Sequence, residues 1–214
     1  MSDGLAIENL DVHRRDGILV SLSANIARGE ILTLMGPSGI GKSTLIKAIA
    51  GFPPTDFSVT GTIRLDGEDI SLLPPEKRHV GVLFQDALLF PHFSVSENIL
   101  FALPPGSSRK ERCKKVEELL EPVGLADLLD RDPATLSGGQ QARVALMRVI
   151  AAEPRALLLD EPFSKLDAAL RASVRAFVFD IVASRKLPAL MVTHDRADAD
   201  STGDRVIELQ SASS

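Results

Sequence analysis

The stretch GPSGIGKST, residues 36–44, constrains the fold of this chain more than any other. It follows the apolar run ILTLM (31–35) and leads into STLIKAIA (43–50), where apolar residues recur at helical spacing. A glycine-rich turn of the pattern G-x-x-x-x-G-K-[ST] between a strand and a helix predicts a loop whose backbone N–H groups surround phosphate oxygens. The candidate phosphate-binding residues are Gly36, Pro37, Ser38, Gly39, Ile40, Gly41, Lys42, Ser43 and Thr44.

Two further groups complete the chemistry that this loop predicts. Lys42 can reach the β- and γ-phosphates of a nucleotide as a point charge, and Ser43 can ligate Mg²⁺. The apolar strand in ALLLDE (156–161) carries Asp160 to its C-terminal end, where open α/β sheets place ligands, so Asp160 is expected to hold Mg²⁺ directly or through water. Glu161 follows at once, and its expected role is to polarise the attacking water as general base.

The remaining pattern predicts an α/β phosphate-loop NTPase core with a largely parallel sheet. Antiparallel strands are expected near the N-terminus, at 5–10 and 17–26, with further strands at 30–36, 60–67, 79–86, 156–162, 188–194 and 204–209. Three helical stretches separated by turns lie between about 87 and 152, at 96–103, 108–124 and 138–154. We expect one domain, 1–214, in which 1–86 and 153–214 form the core and 87–152 an inserted helical subdomain.

Composition narrows the class of protein. The chain has 214 residues, is 44% hydrophobic and 25% charged, and carries a net charge of −5, which is typical of a globular protein and does not favour a nucleic-acid partner. A single cysteine, Cys113, excludes an intrachain disulfide and suits a reducing compartment. No apolar run approaches the roughly 18 residues of a membrane span, and MSDGLAIEN at the N-terminus does not read as a signal peptide. We therefore expect a cytoplasmic protein.

A second turn that could bind an anion occurs in TLSGGQQARVAL, residues 135–146. A Ser and two Gly stand just before a predicted helix, and free N–H groups at a helix N-terminus attract anions. This turn has neither a lysine nor an acidic residue that could hold a metal. By itself it therefore looks redundant beside the first loop.

With GPSGIGKST, LFQD, LSGGQ, LLLDEP and MVTHD in this order and at these spacings, the sequence resembles the nucleotide-binding subunit of ABC transporters from about residue 5 to 209. The resemblance implies an ATPase that uses ATP and Mg²⁺. It assigns Gln85 to the Mg²⁺ and the attacking water, and His194 to the γ-phosphate, both as catalytic residues. Asp167, together with Ser164 and Leu166, matches a segment that contacts the opposing subunit.

The resemblance also explains the second turn. Ser137, Gly138, Gly139 and Gln140 match the family's signature motif, which acts on ATP held by a partner. Two copies, or this chain with a paired ATPase subunit, would then form two complete sites in a head-to-tail dimer. The phosphate that this turn binds is expected to belong to the other subunit.

The sequence departs from the family at the nucleotide base. Family members usually stack the adenine on an aromatic residue near the end of the first strand, whereas this chain has no Tyr and no Trp, and its nearest candidates are His13 and Arg14. An imidazole or guanidinium plane can stack on a base. We therefore expect weak base discrimination, with appreciable turnover of GTP.

Residues 78–103 resemble the corresponding stretch of bacterial importer subunits, particularly those for thiamine, iron(III), polyamines, sulfate and molybdate. This implies integral-membrane permease subunits as partners, a solute-binding protein as an indirect partner, and a peripheral location on the inner face of the cell membrane. The short length implies a form without the C-terminal regulatory domain that many such subunits carry. The segment from Asp86 to Asn98 is expected to receive a cytoplasmic helix of the permease.

The apolar residues in that segment leave two interpretations open, because Leu88, Leu89, Phe90 and Phe93 could face a permease or pack inside the helical subdomain. Two other function classes also stay open. Some relatives act on nucleic acid or ribosomes, although they usually have two cassettes or long coiled coils. A metabolic phosphate-loop kinase is the third possibility, and the signature motif argues against it.

Overall fold

Strands of the first sheet come mostly from the N-terminal part of the chain. The structure, a computed structural model, describes residues 4–15, 17–202 and 205–209. Strands β1 (Gly4–Arg14) and β2 (Gly17–Ala27) form an antiparallel hairpin, and β4 (Ser58–Leu65) pairs antiparallel with the other edge of β1. The short β5 (Glu68–Asp69) completes the order β2-β1-β4-β5. The expected N-terminal antiparallel strands are thus observed.

The second sheet has the order β6-β7-β8-β3-β9, and its pairs β3–β8, β3–β9 and β7–β8 are parallel. Its strands are β3 (Ile31–Met35), β6 (Val80–Leu83), β7 (Ala156–Asp160), β8 (Ala189–Thr193) and β9 (Val206–Glu208). Every residue of β7 and β8 is buried, as expected for central strands of a parallel sheet that is covered on both faces. Parallel strands carry their C-terminal ends to one edge, and the candidate site lies at that edge.

Helices α1 to α4 follow the predicted positions, with ends that their capping chemistry explains. The α-helices are α1 (Lys42–Ala50), α2 (Val95–Ala102), α3 (Arg109–Leu120), α4 (Gly138–Ala151), α5 (Ala168–Ser184) and α6 (Arg196–Ser201). The helix predicted at 108–124 ends earlier, since Pro122 forces a 3₁₀ turn, 121–123, that Gly124 closes with φ 66°. Asp195 caps α6, which was not predicted because RADADS has no apolar periodicity.

Arg78 caps the C-terminal end of α1, a contact that the sequence did not predict. It is buried, and its guanidinium donates to the carbonyl oxygens of Ala48 (3.3 Å) and Ile49 (2.7 Å), the last turn of the helix that follows the phosphate loop. Further bonds run to the carbonyls of Leu73 and Ser71. A helix leaves its last carbonyls without helical partners, and this arginine supplies donors for two of them.

The described residues form two compact units, and each is treated by itself below. The first unit comprises the chain up to Val82, Arg155–Glu161 and the part from Ile181 onward, and the second comprises Leu83–Pro154 and Pro162–Asp180. The core of the first unit is aliphatic and lies around α1, with Leu32, Leu45 and Leu190 fully buried. Residues 36–44, 160, 161 and 194 belong to the first unit, and residues 85, 137–140 and 167 to the second.

Candidate nucleotide site

The phosphate loop in the first unit connects the end of β3 to the start of α1. Gly39 and Gly41 have φ values of 84° and 103°, conformations that favour glycine. Gly41 is the N-cap of α1 and provides no side-chain hydrogen bond to the helix. The first N–H groups of this helix therefore have no capping side chain, an arrangement suited to an anion. A Cβ on Gly41 would lie 3.0 Å from the Leu19 side chain, so β2 packs closely against the loop.

Lys42 lies inside the curve of the loop. Its side chain is buried, and Nζ donates to the carbonyl oxygens of Gly36 (2.7 Å) and Pro37 (2.9 Å). These bonds give the buried ammonium group two acceptors. The same bonds place the positive charge of Lys42 beside the first two of the candidate phosphate-binding residues, 36–44.

Asp160 and Ser43 come together at the C-terminal end of β7. Asp160 is 4% exposed and accepts a hydrogen bond from the Ser43 side chain. Burial raises the pKa of the Asp160 carboxyl above its ordinary value, with a contribution from the Glu161 charge; the hydrogen bond from Ser43 and the charges of Lys47 and Lys42 act in the opposite direction. A hydroxyl and a carboxylate at hydrogen-bond distance are a pair of oxygen ligands of the kind that Mg²⁺ prefers.

Glu161 and His194 form the second pair. Nδ1 of His194 lies 2.8 Å from Oε1 of Glu161, and the Glu161 side chain is far less exposed than the imidazole, 14% against 55%. Glu161 has φ 49°, a left-handed conformation that is unfavourable for a non-glycine residue. Its N–H donates to the carbonyl of Val192 on β8 at 3.0 Å, which holds this unfavourable turn in place. Strained backbone maintained by its surroundings is often found at functional sites.

The signature turn in the second unit forms the N-terminus of α4. Ser137 is its N-cap: the hydroxyl accepts from the N–H of Gln140 (3.3 Å), and the Gln140 side chain accepts from the N–H of Ser137 (2.8 Å). This capping box fixes the first turn of the helix. A Cβ on Gly139 would lie 3.2 Å from the carbonyl oxygen of Lys165, whereas one on Gly138 would meet nothing within 4 Å. Packing within the chain therefore explains Gly139 but not Gly138.

Residues 164–167 of the second unit lie beside this turn and beside Asp86. Asp167 caps α5 by accepting from the N–H of Leu170 at 3.0 Å, and Lys165 pairs with Asp86 at 3.2 Å. Asp86 follows Gln85, whose side chain is exposed in the second unit. Gln85 and the pair formed by Ser43 and Asp160 thus lie in different units.

Comparison with known proteins identifies the family. Residues 19–164 match the profile of the family described as ABC transporter. The chain belongs to the ABC transporter family. It is 47% identical to the ABC transporter ATP-binding protein YnjD of Escherichia coli (strain K12), over 92% of this chain and 93% of that protein. The family that the motifs predicted is therefore confirmed, and the enzyme class is that of an ABC transporter ATPase.

Other relatives and a solved structure agree with this assignment. The chain is 44% identical to the spermidine/putrescine import ATP-binding protein PotA of Pseudomonas fluorescens, over 96% of this chain and 58% of that protein. It is 43% identical to the sulfate/thiosulfate import ATP-binding protein CysA 2 of Chromobacterium violaceum, over 94% of this chain and 56% of that protein. The chain thus spans little more than half the length of these two import proteins.

The ATP-binding cassette MJ0796, solved as a dimer in a post-hydrolysis state with ADP and Pi, superposes with a TM-score of 0.83 at 28% identity, covering 96% of this chain and 94% of that one. The predicted fold is confirmed. Within the part of the chain that the structure describes, no helix is long and apolar enough to cross a membrane.

Near the end of β1, the two base candidates of this ABC transporter ATPase make different contacts. Nε2 of His13 lies 3.2 Å from Oγ1 of Thr60, so one ring nitrogen already has a polar partner. Arg14 is exposed, and its guanidinium carbon lies 6.0 Å from the ring centroid of Phe57. The sequence analysis did not consider Phe57, which is far from Arg14 along the chain and becomes its neighbour only through the pairing of β1 with β4.

Apolar side chains after β6 divide between the two interpretations that the sequence left open. Leu88 and Phe90 are exposed, whereas Leu89 and Phe93 are partly buried. Phe101 on α2, which the sequence analysis did not single out, is 65% exposed and contacts both Phe90 and Phe93. A search for exposed apolar positions on α2 could have found it. We refer to Leu88, Phe90, Phe93 and Phe101 as the aromatic platform.

Proposed function

We propose that this chain is the Mg²⁺-dependent nucleotide-binding subunit of a solute importer, which closes as a dimer on ATP and drives a separate membrane permease. The observation that carries the proposal is the convergence of Asp160, Glu161 and His194 on one sheet edge, with Ser43 and Lys42 in the adjoining loop. These side chains supply a metal ligand pair, a base with its partner, and a cation for the phosphates.

Nucleotide binding is assigned to residues 36–44. The N–H groups of the loop and of the first turn of α1 would donate to the β- and γ-phosphate oxygens. Lys42 exchanges the carbonyl oxygens of Gly36 and Pro37 for phosphate oxygens, because a charged acceptor makes the stronger bond.

The oxygen ligands in the first unit suit Mg²⁺. Among the described residues no cluster of three His, Cys, Asp or Glu side chains could hold a metal ion by itself. Ser43 and Asp160 supply two hard oxygens, and Gln85 is assigned as a further ligand by the family resemblance. When bound, the ion neutralises charge that develops on the phosphates.

Hydrolysis is assigned to Glu161 acting as general base on the attacking water. His194 holds the Glu161 carboxylate through Nδ1 and, by the same contact, fixes its own ring beside the γ-phosphate position. Phosphoryl transfer depends on such positioning more than on covalent chemistry of the protein. Gln85 is proposed to orient the same water and to respond to the permease.

The signature turn is proposed to complete the site of the partner ATPase subunit. Gly138 supports this role, since no described residue beyond its own helical turn comes within 4 Å of the position of a Cβ, and the absent side chain leaves room for an external ligand. Ser137, Gly139 and Gln140 fix the turn, and Asp167 contacts the opposing subunit. MJ0796, the solved relative, is a dimer bound to ADP and Pi, which supports a homodimer or a paired subunit.

Import is supported by two relatives that are import ATP-binding proteins, PotA and CysA 2, and by the exposed aromatic platform. The permease helix is proposed to dock between Asp86 and Asn98, at the cytoplasmic face of the membrane, and a solute-binding protein joins indirectly. No role for nucleic acid is proposed. Base recognition by His13 and Arg14 is proposed to be weak, so that GTP is also a substrate.

Two experiments test this proposal. The specific ATPase activity of the purified chain should rise with protein concentration if two copies form each site, and full activity at high dilution would refute a shared site. The tagged chain, purified from membranes, should bring multi-spanning proteins with it. Ribosomes or nucleic acid in their place would favour the non-transport class, and a phosphorylated metabolite would favour a kinase.

A further inference from the structure

The irregular segment from Ala87 to Ser94 is held in place by two side chains of the second unit. These are Asn98 on α2 and Arg148 on α4, neither of which is part of the phosphate chemistry. The segment has no helix or strand of its own, and therefore its shape depends on these side-chain bonds.

Asn98 is fully buried and uses both ends of its amide on this segment. Its Oδ1 accepts from the N–H of Phe90 at 2.8 Å. Its Nδ2 lies 3.2 Å from the carbonyl of Phe90, 3.2 Å from that of Phe93 and 3.0 Å from that of Ser94. A buried amide with partners on both atoms specifies one conformation of the backbone around it.

Arg148 holds the start of the same segment. Nη1 donates to the carbonyl of Leu88 at 2.9 Å and Nη2 to that of Ala87 at 3.3 Å, while the guanidinium carbon lies 5.1 Å from the ring centroid of Phe90. Nη1 also lies 3.5 Å from Oδ1 of Asn98, which joins the two residues in one network. A planar fork that also stacks on a ring is a geometry that lysine cannot reproduce.

This network keeps apolar side chains at the surface in a fixed arrangement. Phe90 contacts Phe93 and Phe101 edge to face, with centroids 5.5 and 5.0 Å apart, and Leu88 and Phe101 remain 63% and 65% exposed. A cluster of exposed rings with fixed orientations is typical of a docking surface. Ala87, which Arg148 holds, follows Gln85 by two positions.

We propose that Asn98 and Arg148 are positioning residues for coupling: they hold 87–94 rigid, so that permease docking on the aromatic platform is transmitted to Gln85. This inference rests on the proposed function. With the network intact, displacement of the rings by the permease moves residues 87–94 as one rigid segment. With the network broken, the permease still meets apolar side chains, but the displacement is absorbed by the segment before it reaches Gln85.

The test uses Asn98→Asp, which keeps the side-chain shape but removes the amide donors, and Arg148→Lys, which keeps the charge but removes the fork. Amide hydrogen exchange over 87–93 is measured on the isolated full-length variants. ATPase activity is then measured for the isolated chain and for the complex copurified from membranes. The quantity compared between variants is the activity ratio, which is the activity of the complex divided by that of the isolated chain. Arg155→Lys is the matched control, because Arg155 makes a two-pronged contact of the same kind with Asp66 and Glu68 in the first unit.

Both variants should exchange faster over 87–93 by about tenfold, and their activity ratio should fall by about fivefold or more. The Arg155→Lys control should keep the wild-type ratio. A wild-type ratio in variants with faster exchange overturns the proposal, and so does a reduced ratio without faster exchange. If the wild-type chain brings no multi-spanning protein from membranes, the proposed function itself fails. Thermal melts identify a variant that has not folded, and the other variant then decides.

Discussion

His194 and Glu161 are 33 positions apart in the chain, yet Nδ1 of the histidine lies 2.8 Å from Oε1 of the glutamate. The parallel pairing of β7 with β8 produces this contact. Asp160 is the register partner of Val192, so the residues that follow these two leave the sheet side by side. The contact orients the carboxylate and the imidazole relative to each other, and the proposed role of Glu161 as base would depend on such preorganisation.

Glu161→Gln should abolish turnover while leaving nucleotide binding intact. The amide has nearly the shape of the carboxylate but cannot take a proton from water, so we expect kcat to fall by about 10² or more. The variant should accumulate as an ATP-bound dimer, which size-exclusion chromatography with Mg²⁺ and ATP would detect. Glu153→Gln is the control, since Glu153 pairs with Lys115 in the second unit and has no proposed role in hydrolysis. Substantial turnover by the Glu161→Gln variant would exclude Glu161 as the base.

Replacing Glu161 by glycine should give a more stable protein than replacing it by alanine. Both changes remove the carboxylate, but only glycine adopts φ 49° without steric cost. The glycine variant should therefore exceed the alanine variant by about 1 kcal/mol in free energy of unfolding. Urea denaturation of the two variants measures the difference. Equal stabilities would mean that the backbone at this position is not strained.

Much of the fold could be predicted because its signals are local. The phosphate loop, the buried strand 156–160 and the helix that begins at Gly138 each have a composition or capping pattern that specifies them within a few residues. The antiparallel N-terminal strands were predicted from their alternation of apolar and polar residues, and the parallel sheet from the alternation of strands with helices. The side chains proposed for the site come together in part because β7, which ends at Asp160, is adjacent to β8, which His194 follows.

Long-range contacts could not be predicted in this way. Nothing in the sequence indicates that Arg78 caps α1, that Phe57 lies under Arg14, or that Arg148 reaches the carbonyl of Leu88, 60 positions away. Each contact depends on which elements are neighbours in space, whereas a single sequence shows only spacing along the chain. The short polar helix α6 was not predicted because its residues, RADADS, lack an apolar pattern at helical spacing. The signal that it does have is the cap residue Asp195.

Gly138→Ala should separate folding from the proposed role of the signature turn. A Cβ at this position meets no atom within 4 Å from the described residues beyond its own helical turn, and alanine favours the helix by about 1 kcal/mol over glycine. The melting temperature of the isolated protein should therefore stay the same or rise. ATP-dependent dimerisation and turnover should fall, because the methyl group would enter the space assigned to the partner's γ-phosphate. Gly139→Ser is not a useful control, because a Cβ at position 139 would lie 3.2 Å from the carbonyl oxygen of Lys165. The control is Ala142→Ser on the same helix. Full activity of Gly138→Ala would contradict the shared site.

Asp160→Asn should stabilise the nucleotide-free protein and remove its response to Mg²⁺ and ATP. Burial raises the pKa of Asp160 in the folded state, so the folded protein binds more protons than the unfolded chain between the unfolded pKa, about 3.9, and the raised one. The free energy of unfolding thus loses the contribution of this group as the pH rises through that window. The asparagine variant lacks this loss, so its advantage in free energy of unfolding should grow as the pH rises from 4 to 7.

Urea denaturation of both proteins at several pH values measures this difference, in which the other titrating groups cancel. A constant difference between pH 4 and pH 7 would show that burial of Asp160 does not affect its ionisation. With Mg²⁺ and ATP the order should reverse, because ligand binding to the folded state stabilises only the protein that retains the metal ligand.

Base selectivity provides the last prediction, since the chain offers Arg14 and His13 where relatives usually offer an aromatic ring. A guanidinium plane stacks on any purine, and the contact of Arg14 with Phe57 adds no group that distinguishes adenine from guanine. Turnover of ATP and GTP should therefore differ by less than about a hundredfold in kcat/KM. Arg14→Ala combined with His13→Ala should raise KM for both nucleotides and leave their ratio near its wild-type value. A strong preference for ATP that disappears in the double variant would show instead that these two residues read the base. Arg28→Ala is the control for loss of positive charge, because its guanidinium pairs with Asp66 elsewhere in the first unit.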